Sequence, residues 1–170
     1  MFVGEVSIYA FNGCGLPFNI NSKSGAFTDT IDGSSGTDTL DIDYSGVSDL
    51  GDFTITYDST NGYIVLTDAN GGVIKFKNIE NLTVGDYAYT QVATNRNSTP
   101  EEQQAFWNST EGVLYLYNSG TAGANLTSGI WSANEQNISA LLGLAKTDDV
   151  TVQGSVGNDT MNLNVSRGEE

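Results

Sequence analysis

A mainly-β fold is predicted, with β-roll-like or β-solenoid turns, an inserted antiparallel β-meander and two short α-helices. Three observations predict it. Two glycine-and-aspartate nonapeptides sit near opposite ends of the chain, at 33–41 and 154–162. Between 53 and 77, three short alternating segments are separated by turns rich in Asn and Gly, the usual punctuation of hairpins. Ser, Thr, Asn and Gly are abundant, and only two prolines and 10% aromatics accompany them, a profile that suits strands and turns better than a helical bundle.

The first nonapeptide reads Gly33-Ser34-Ser35-Gly36-Thr37-Asp38-Thr39-Leu40-Asp41, and the second Gly154-Ser155-Val156-Gly157-Asn158-Asp159-Thr160-Met161-Asn162. Both match the repeat G-G-x-G-x-D-x-U-x at its first, fourth, sixth and eighth positions, and both place Ser at the second. The glycines allow a tight turn that exposes backbone carbonyls, and the Asp adds a hard anionic oxygen. The apolar residue that follows starts an inward-pointing strand. Ser24–Asp32 is a degraded copy in the same frame, with Asp29 at the sixth position and Ile31 at the eighth. Consecutive nonapeptides of a parallel roll lie on opposite sides, so one and a half repeats give a half site or one irregular site instead of a row.

Oxygen donors of this kind suit calcium, which takes six to eight of them. The candidate carboxylates are Asp38 and Asp159, and the candidate carbonyls are those of Gly33, Ser35, Gly36, Gly154, Val156 and Gly157. Asp29, Asp32 and Asp41 are candidates for second-turn oxygens. Because one turn is too few, the two repeats are expected to stack on each other and close the chain end to end. The plainer alternative is that both are turns that only link strands.

The remaining elements follow in order. Residues 1–22 alternate weakly through Val6, Ile8 and Phe11 and fit one strand. Thr39–Tyr44 places Leu40, Ile42 and Tyr44 on one face and Asp41 and Asp43 on the other. The meander follows: Phe53–Tyr57, Tyr63–Thr67 and Val73–Lys77, with Ile74 and Phe76 facing one way and Lys75 and Lys77 the other. Asn78–Leu82 reads as an exit turn that tucks Ile79 and Leu82 against the sheet. Thr99-Pro100-Glu101-Glu102 is a helix start, with Thr as cap and Pro in the first turn, so a short helix is expected through Gln103 to about Asn108. Val113–Tyr117 forms a strand. A second capping box, Ser132–Glu135, precedes Ile138, Leu141, Leu142 and Ala145, which mark an amphipathic helix with its stripe toward the core. Asp149–Val152 is a strand leading into the second repeat. Two regions result, 1–95 with a nonapeptide turn and the meander, and 96–170 with the helix-strand-helix segment and the second repeat, together one compact domain or a piece of a longer protein.

The run from Thr37-Asp38-Thr39-Leu40-Asp41 to Tyr44-Ser45-Gly46-Val47, then a meander, then Phe76-Lys77-Asn78-Ile79-Glu80-Asn81-Leu82, resembles haemolysin-type calcium-binding (repeats-in-toxin, RTX) proteins. The resemblance covers about 24–84 well and 148–165 partly, and it departs from the family in having isolated repeats instead of arrays. It implies a bacterial protein that is secreted without a cleaved N-terminal signal and folds as calcium rises outside the cell.

Composition narrows the function. The formal net charge of −15 repels phosphate backbones and anionic membrane surfaces and attracts cations, so nucleic acid is not an expected partner. The absence of histidine removes His-based triads and most zinc sites. The lone Cys14 has no internal disulfide partner. No apolar stretch reaches the length of a membrane span, and Met1–Ile20 lacks the basic start of a signal peptide. No protease metal motif or Gly-x-Ser-x-Gly elbow is present, and the acids fall in turns or on outward strand faces instead of forming a catalytic pair. The expected role is therefore a non-catalytic, extracellular calcium-binding structural or adhesive module. The first alternative is a carbohydrate-binding module, or one that binds other cell-surface components. It would stack sugars on exposed Trp107, Trp131, Tyr115, Tyr117, Tyr87 and Tyr89. Part of a secreted hydrolase comes third.

Overall fold

Alternation of apolar and polar residues dictates most of the strands, and their pairing shows where each face goes. The structure, a computed structural model, describes residues 5–10, 17–93, 104–117, 125–126, 151–154 and 160–161. The first strands are β1 (Glu5–Ala10), β2 (Phe18–Asn21), β3 (Phe27–Asp32) and β4 (Thr39–Asp43). The meander is β5 (Phe53–Asp58), β6 (Tyr63–Asp68) and β7 (Val73–Lys77), followed by β8 (Asn81–Val84) and β9 (Tyr87–Ala93). Then come β10 (Gln104–Asn108), β11 (Val113–Tyr117), β12 (Asn125–Leu126), β13 (Thr151–Gln153) and β14 (Thr160–Met161).

Two large sheets hold these strands. One runs β1-β3-β7-β6-β5 and the other β13-β11-β10-β9-β8-β4-β2, while β12 and β14 form a small parallel pair. In the first sheet β1, β3 and β7 are mutually parallel, and in the second β2, β4 and β8 are. The chain therefore passes from the first sheet to the second between β1 and β2, β3 and β4, and β7 and β8. Parallel strands need a crossover connection, and between β1 and β3, and between β2 and β4, that crossover is a strand of the facing sheet. Ile31 and Leu40, nine residues apart, come from different sheets and enter the same core with no exposed surface. The described residues within 1–22 form two strands, not one, because Phe18 and Ile20 bury themselves in the second sheet.

The meander pairs as its sequence predicts, β5 with β6 and β6 with β7, all antiparallel. Ile74 and Phe76 are fully buried while Lys75 and Lys77 stay on the other face. Burying a side chain of that size contributes about 1.5–3 kcal/mol. The second sheet crosses the boundary expected near residue 95, since β9 pairs with β10.

The helix expected up to Asn108 is not formed: Gln104–Asn108 is strand β10. Its aromatic residues pair antiparallel with β9 on one side and β11 on the other. Phe106 and Trp107 are both buried, one on each face, which a short helix with a single apolar stripe would not achieve. Tertiary pairing outweighs the local capping signal. The second expected helix, from Ser132, lies outside the described residues. Among the described residues the helical structure is one 3-10 turn, Leu50–Asp52, closed by a capping box between Asp49 and Asp52, and no helix is long and apolar enough to cross a membrane.

Candidate metal centre

The first nonapeptide forms the turn between β3 and β4. Ser34 takes a left-handed conformation (φ 65°) and Gly36 also has positive φ (133°). Asp32 holds the turn open, accepting the Ser34 amide at 2.9 Å. Ser35 and Gly36 form its exposed tip, whereas Gly33 and Asp38 are buried.

This turn packs on Asn78–Glu80, the connection between β7 and β8. The Gly33 amide donates to the Lys77 carbonyl at 3.1 Å. The amides of Glu80 and Asn81 donate to the Asp38 carbonyl at 3.3 and 3.1 Å. The Asp38 amide donates in turn to Glu80 Oε2 at 2.9 Å. Asn78, left-handed at φ 53°, donates its side-chain amide to Asp32 Oδ1 at 2.7 Å. Lys77 Nζ lies 3.4 Å from Asp32 Oδ2 and 4.8 Å from the Tyr63 ring centroid. Burial works to raise the pKa of Asp32, but hydrogen bonds from Asn78, Ser34 and Lys77 outweigh it and hold the carboxyl below the usual range.

Asp32 is thus fully engaged, and Asp38 is not. Asp38 is 3% exposed, and its Oδ2 is buried with no hydrogen-bond partner. Leaving such an oxygen without a donor or cation costs about 1–3 kcal/mol or more. The approach of the two turns is close enough to demand glycine. A Cβ at Gly33 would run into the Asn78 carbonyl oxygen and stand 3.0 Å from Asp38 Oδ2. Two acceptor oxygens therefore lie close together against Gly33. A buried, unpartnered carboxylate oxygen with a second acceptor close by fits a hard cation.

The other candidate ligands lie elsewhere. Asp29 is fully buried on the inner face of β3, with Lys23 Nζ 3.3 Å from its Oδ2. It stands three residues before Asp32, about 10 Å along the strand. Asp41 is half-buried on the outer face of β4, in register with Thr83 and Asn19. Gly154 is exposed at the end of β13. Val156, Gly157 and Asp159 lie outside the described residues. The expected stacking of the two repeats falls on the turn at 155–159, outside the described residues; β13, which leads to it, is separated from β4 by β11, β10, β9 and β8. At about 4.8 Å per strand that is about 24 Å. The turn that stacks on 33–38 is 78–80.

Sequence reasoning missed Asn78 and Glu80 as neighbours of Asp38, having read 78–82 only as an exit turn. The signal was present: both turns precede an apolar strand start, Leu40 and Leu82, and these strands pair in register. It also missed a buried polar group where the chain re-enters the first sheet. Tyr44 Oη donates to Asp68 Oδ2 at 2.7 Å, and Asp68 Oδ1 accepts the amides of Asn70 and Gly72 at 2.7 and 2.8 Å. Burial, and then the Asp68 carboxylate, push the Tyr44 phenol far above its usual value.

Among the described residues no three His, Cys, Asp or Glu side chains form a metal cluster, so an ion at Asp38 would rely on backbone carbonyls and water for much of its shell. The aromatic platform needed for sugars is not exposed there either. Tyr89, Trp107, Tyr115 and Tyr117 are buried, Tyr87 is half-buried, and Trp131 lies outside the described residues. No protein-family model, curated protein or solved structure matches the chain.

Proposed function

We propose that this chain is a non-catalytic structural or adhesive module that binds calcium outside the cell, as part of a secreted bacterial protein of the RTX type. On this reading the strands that alternate between sheets are coils of a short β-roll, interrupted by the meander. The single observation that carries the proposal is the buried, unpartnered Oδ2 of Asp38 at the sixth position of the nonapeptide. The net charge of −15 supports it, since a bound divalent ion relieves the repulsion of a compact acidic chain. Asp38 would hold the ion, with carbonyls of the Gly33–Asp38 turn beside it. The ion supplies no chemistry to a substrate: it neutralises charge and fixes the turn. The buried aromatics give no support to the carbohydrate alternative.

Thermal melts with calcium and with chelator test the proposal. A ligand that prefers the folded state stabilises it by RT ln(1 + [L]/Kd), about 2.7 kcal/mol at a hundredfold excess over Kd. For a chain of this size that is roughly 5–10 °C. Asp38→Asn should abolish the shift. Identical melts in millimolar calcium and in chelator would refute the proposal.

A further inference from the structure

Asp38 alone is half a site. We infer that the other half is the Asn78–Glu80 turn, with the Asn78 carbonyl and the Glu80 carboxylate joining Asp38 around a single calcium ion. This inference rests on the calcium reading above and names the residues that complete the site.

Three observations carry it. The Asn78 carbonyl oxygen and Asp38 Oδ2 both press against Gly33: a Cβ there would overlap the first and stand 3.0 Å from the second, so the two oxygens are near neighbours. Asp38 Oδ2 is buried and has no partner. Glu80 is already tied to the site through the Asp38 amide, 2.9 Å from its Oε2.

Charge agrees with this assignment. Asp32 and Lys77 pair with each other, which leaves Asp38 and Glu80 as two negative charges at the junction, the complement of one divalent cation. A shell that includes a carbonyl and a buried carboxylate suits calcium, which tolerates irregular oxygen sets, better than magnesium, which demands near-octahedral geometry and retains its waters. Neither Asn78 nor Glu80 belongs to a nonapeptide. The ion would therefore link a repeat turn to a turn outside the repeat pattern, joining segments 42 residues apart. One ion is expected, not a row.

The test is calcium titration of the full chain by calorimetry, with Asp38→Asn, Glu80→Gln and Asp159→Asn beside it. Gln at 80 can still accept the Asp38 amide, so the metal-free melt should be kept. The expected result is one ion per chain, lost in Asp38→Asn, weakened at least tenfold in Glu80→Gln and unchanged in Asp159→Asn. Wild-type affinity in Glu80→Gln combined with loss in Asp159→Asn would overturn the inference while leaving the calcium reading in place. No binding to the wild type would overturn both. Hydrogen exchange on the wild type gives a readout independent of variants. The Gly33, Glu80 and Asn81 amides, which bridge the two turns, should exchange at least tenfold more slowly with calcium, and unchanged rates would count against the assignment.

Discussion

Gly33→Ala is the sharpest probe of the turn-on-turn packing. Gly33 lies outside the left-handed region, so the substitution tests space and not backbone conformation. The new Cβ would collide with the Asn78 carbonyl oxygen and lie 3.0 Å from both the Asn78 carbonyl carbon and Asp38 Oδ2. Its main obstacle is backbone, so no side chain can swing away to relieve it. Overpacking of this kind costs about 1–3 kcal/mol. If the turns part, the Gly33–Lys77 and Asn78–Asp32 hydrogen bonds weaken as well, at about 1 kcal/mol each. A total of about 3–5 kcal/mol follows, or roughly 6–20 °C in melting temperature for a chain of this length. The assay is a thermal melt by circular dichroism in chelator, with Ser35→Ala at the exposed tip as a control expected within about 0.5 kcal/mol of wild type. A Gly33→Ala melt within about 2 °C of wild type would show that the two turns do not press together, and the site built on their contact would fall with it.

Three further outcomes follow from other hydrogen-bonded polar groups. Tyr44→Phe strips Asp68 of its 2.7 Å donor and should cost about 1.5–3 kcal/mol in chemical denaturation, as for a hydrogen bond to a charged group. Lys23→Met leaves Asp29 buried without its ion-pair partner, and should cost roughly 3 kcal/mol, near the low end for a buried pair because Lys23 keeps some contact with water. Adding Asp29→Leu should restore most of that loss, and a double variant no better than the single one would contradict the pairing. Stability should also fall in acid. Hydrogen bonds from Asn78 and Ser34 outweigh burial at Asp32, and the Ser48 amide leads in holding Asp52 down, so both carboxyls titrate below their unfolded values. Their contribution is present above about pH 4 and is lost as pH drops through the lowered folded values, which urea melts from pH 6 to pH 3 would follow.

Much of this fold is legible in short-range pattern. The meander announces itself through strict alternation and two glycine turns, and each hairpin forms where the turn residues stand. The nonapeptide likewise puts Leu40 inward and Asp38 at the turn's end. Long-range pairing is harder to read. Thr99-Pro100-Glu101-Glu102 is a sound helix start by local rules, yet β10 follows it because β9 and β11 offer hydrogen bonds and cover on both sides. Asp29 matches the metal frame by spacing but falls on the inward face of β3, where Lys23 reaches it. Glu80 lies outside both nonapeptides, and the register of β4 with β8 brings it to Asp38. Spacing identifies an oxygen donor, while the partner donor depends on which turn the sheet stacks beside it.

The two sheets end differently on their two sides. On one side both finish in parallel strands, β1 and β2; on the other the first finishes in β5, at the rim of an antiparallel hairpin, and the second in β13, again parallel to its neighbour. Among the described residues, a further strand that kept the parallel direction of the first sheet would find a matching rail along β1, whereas the meander closes the opposite side of that sheet with an antiparallel rim.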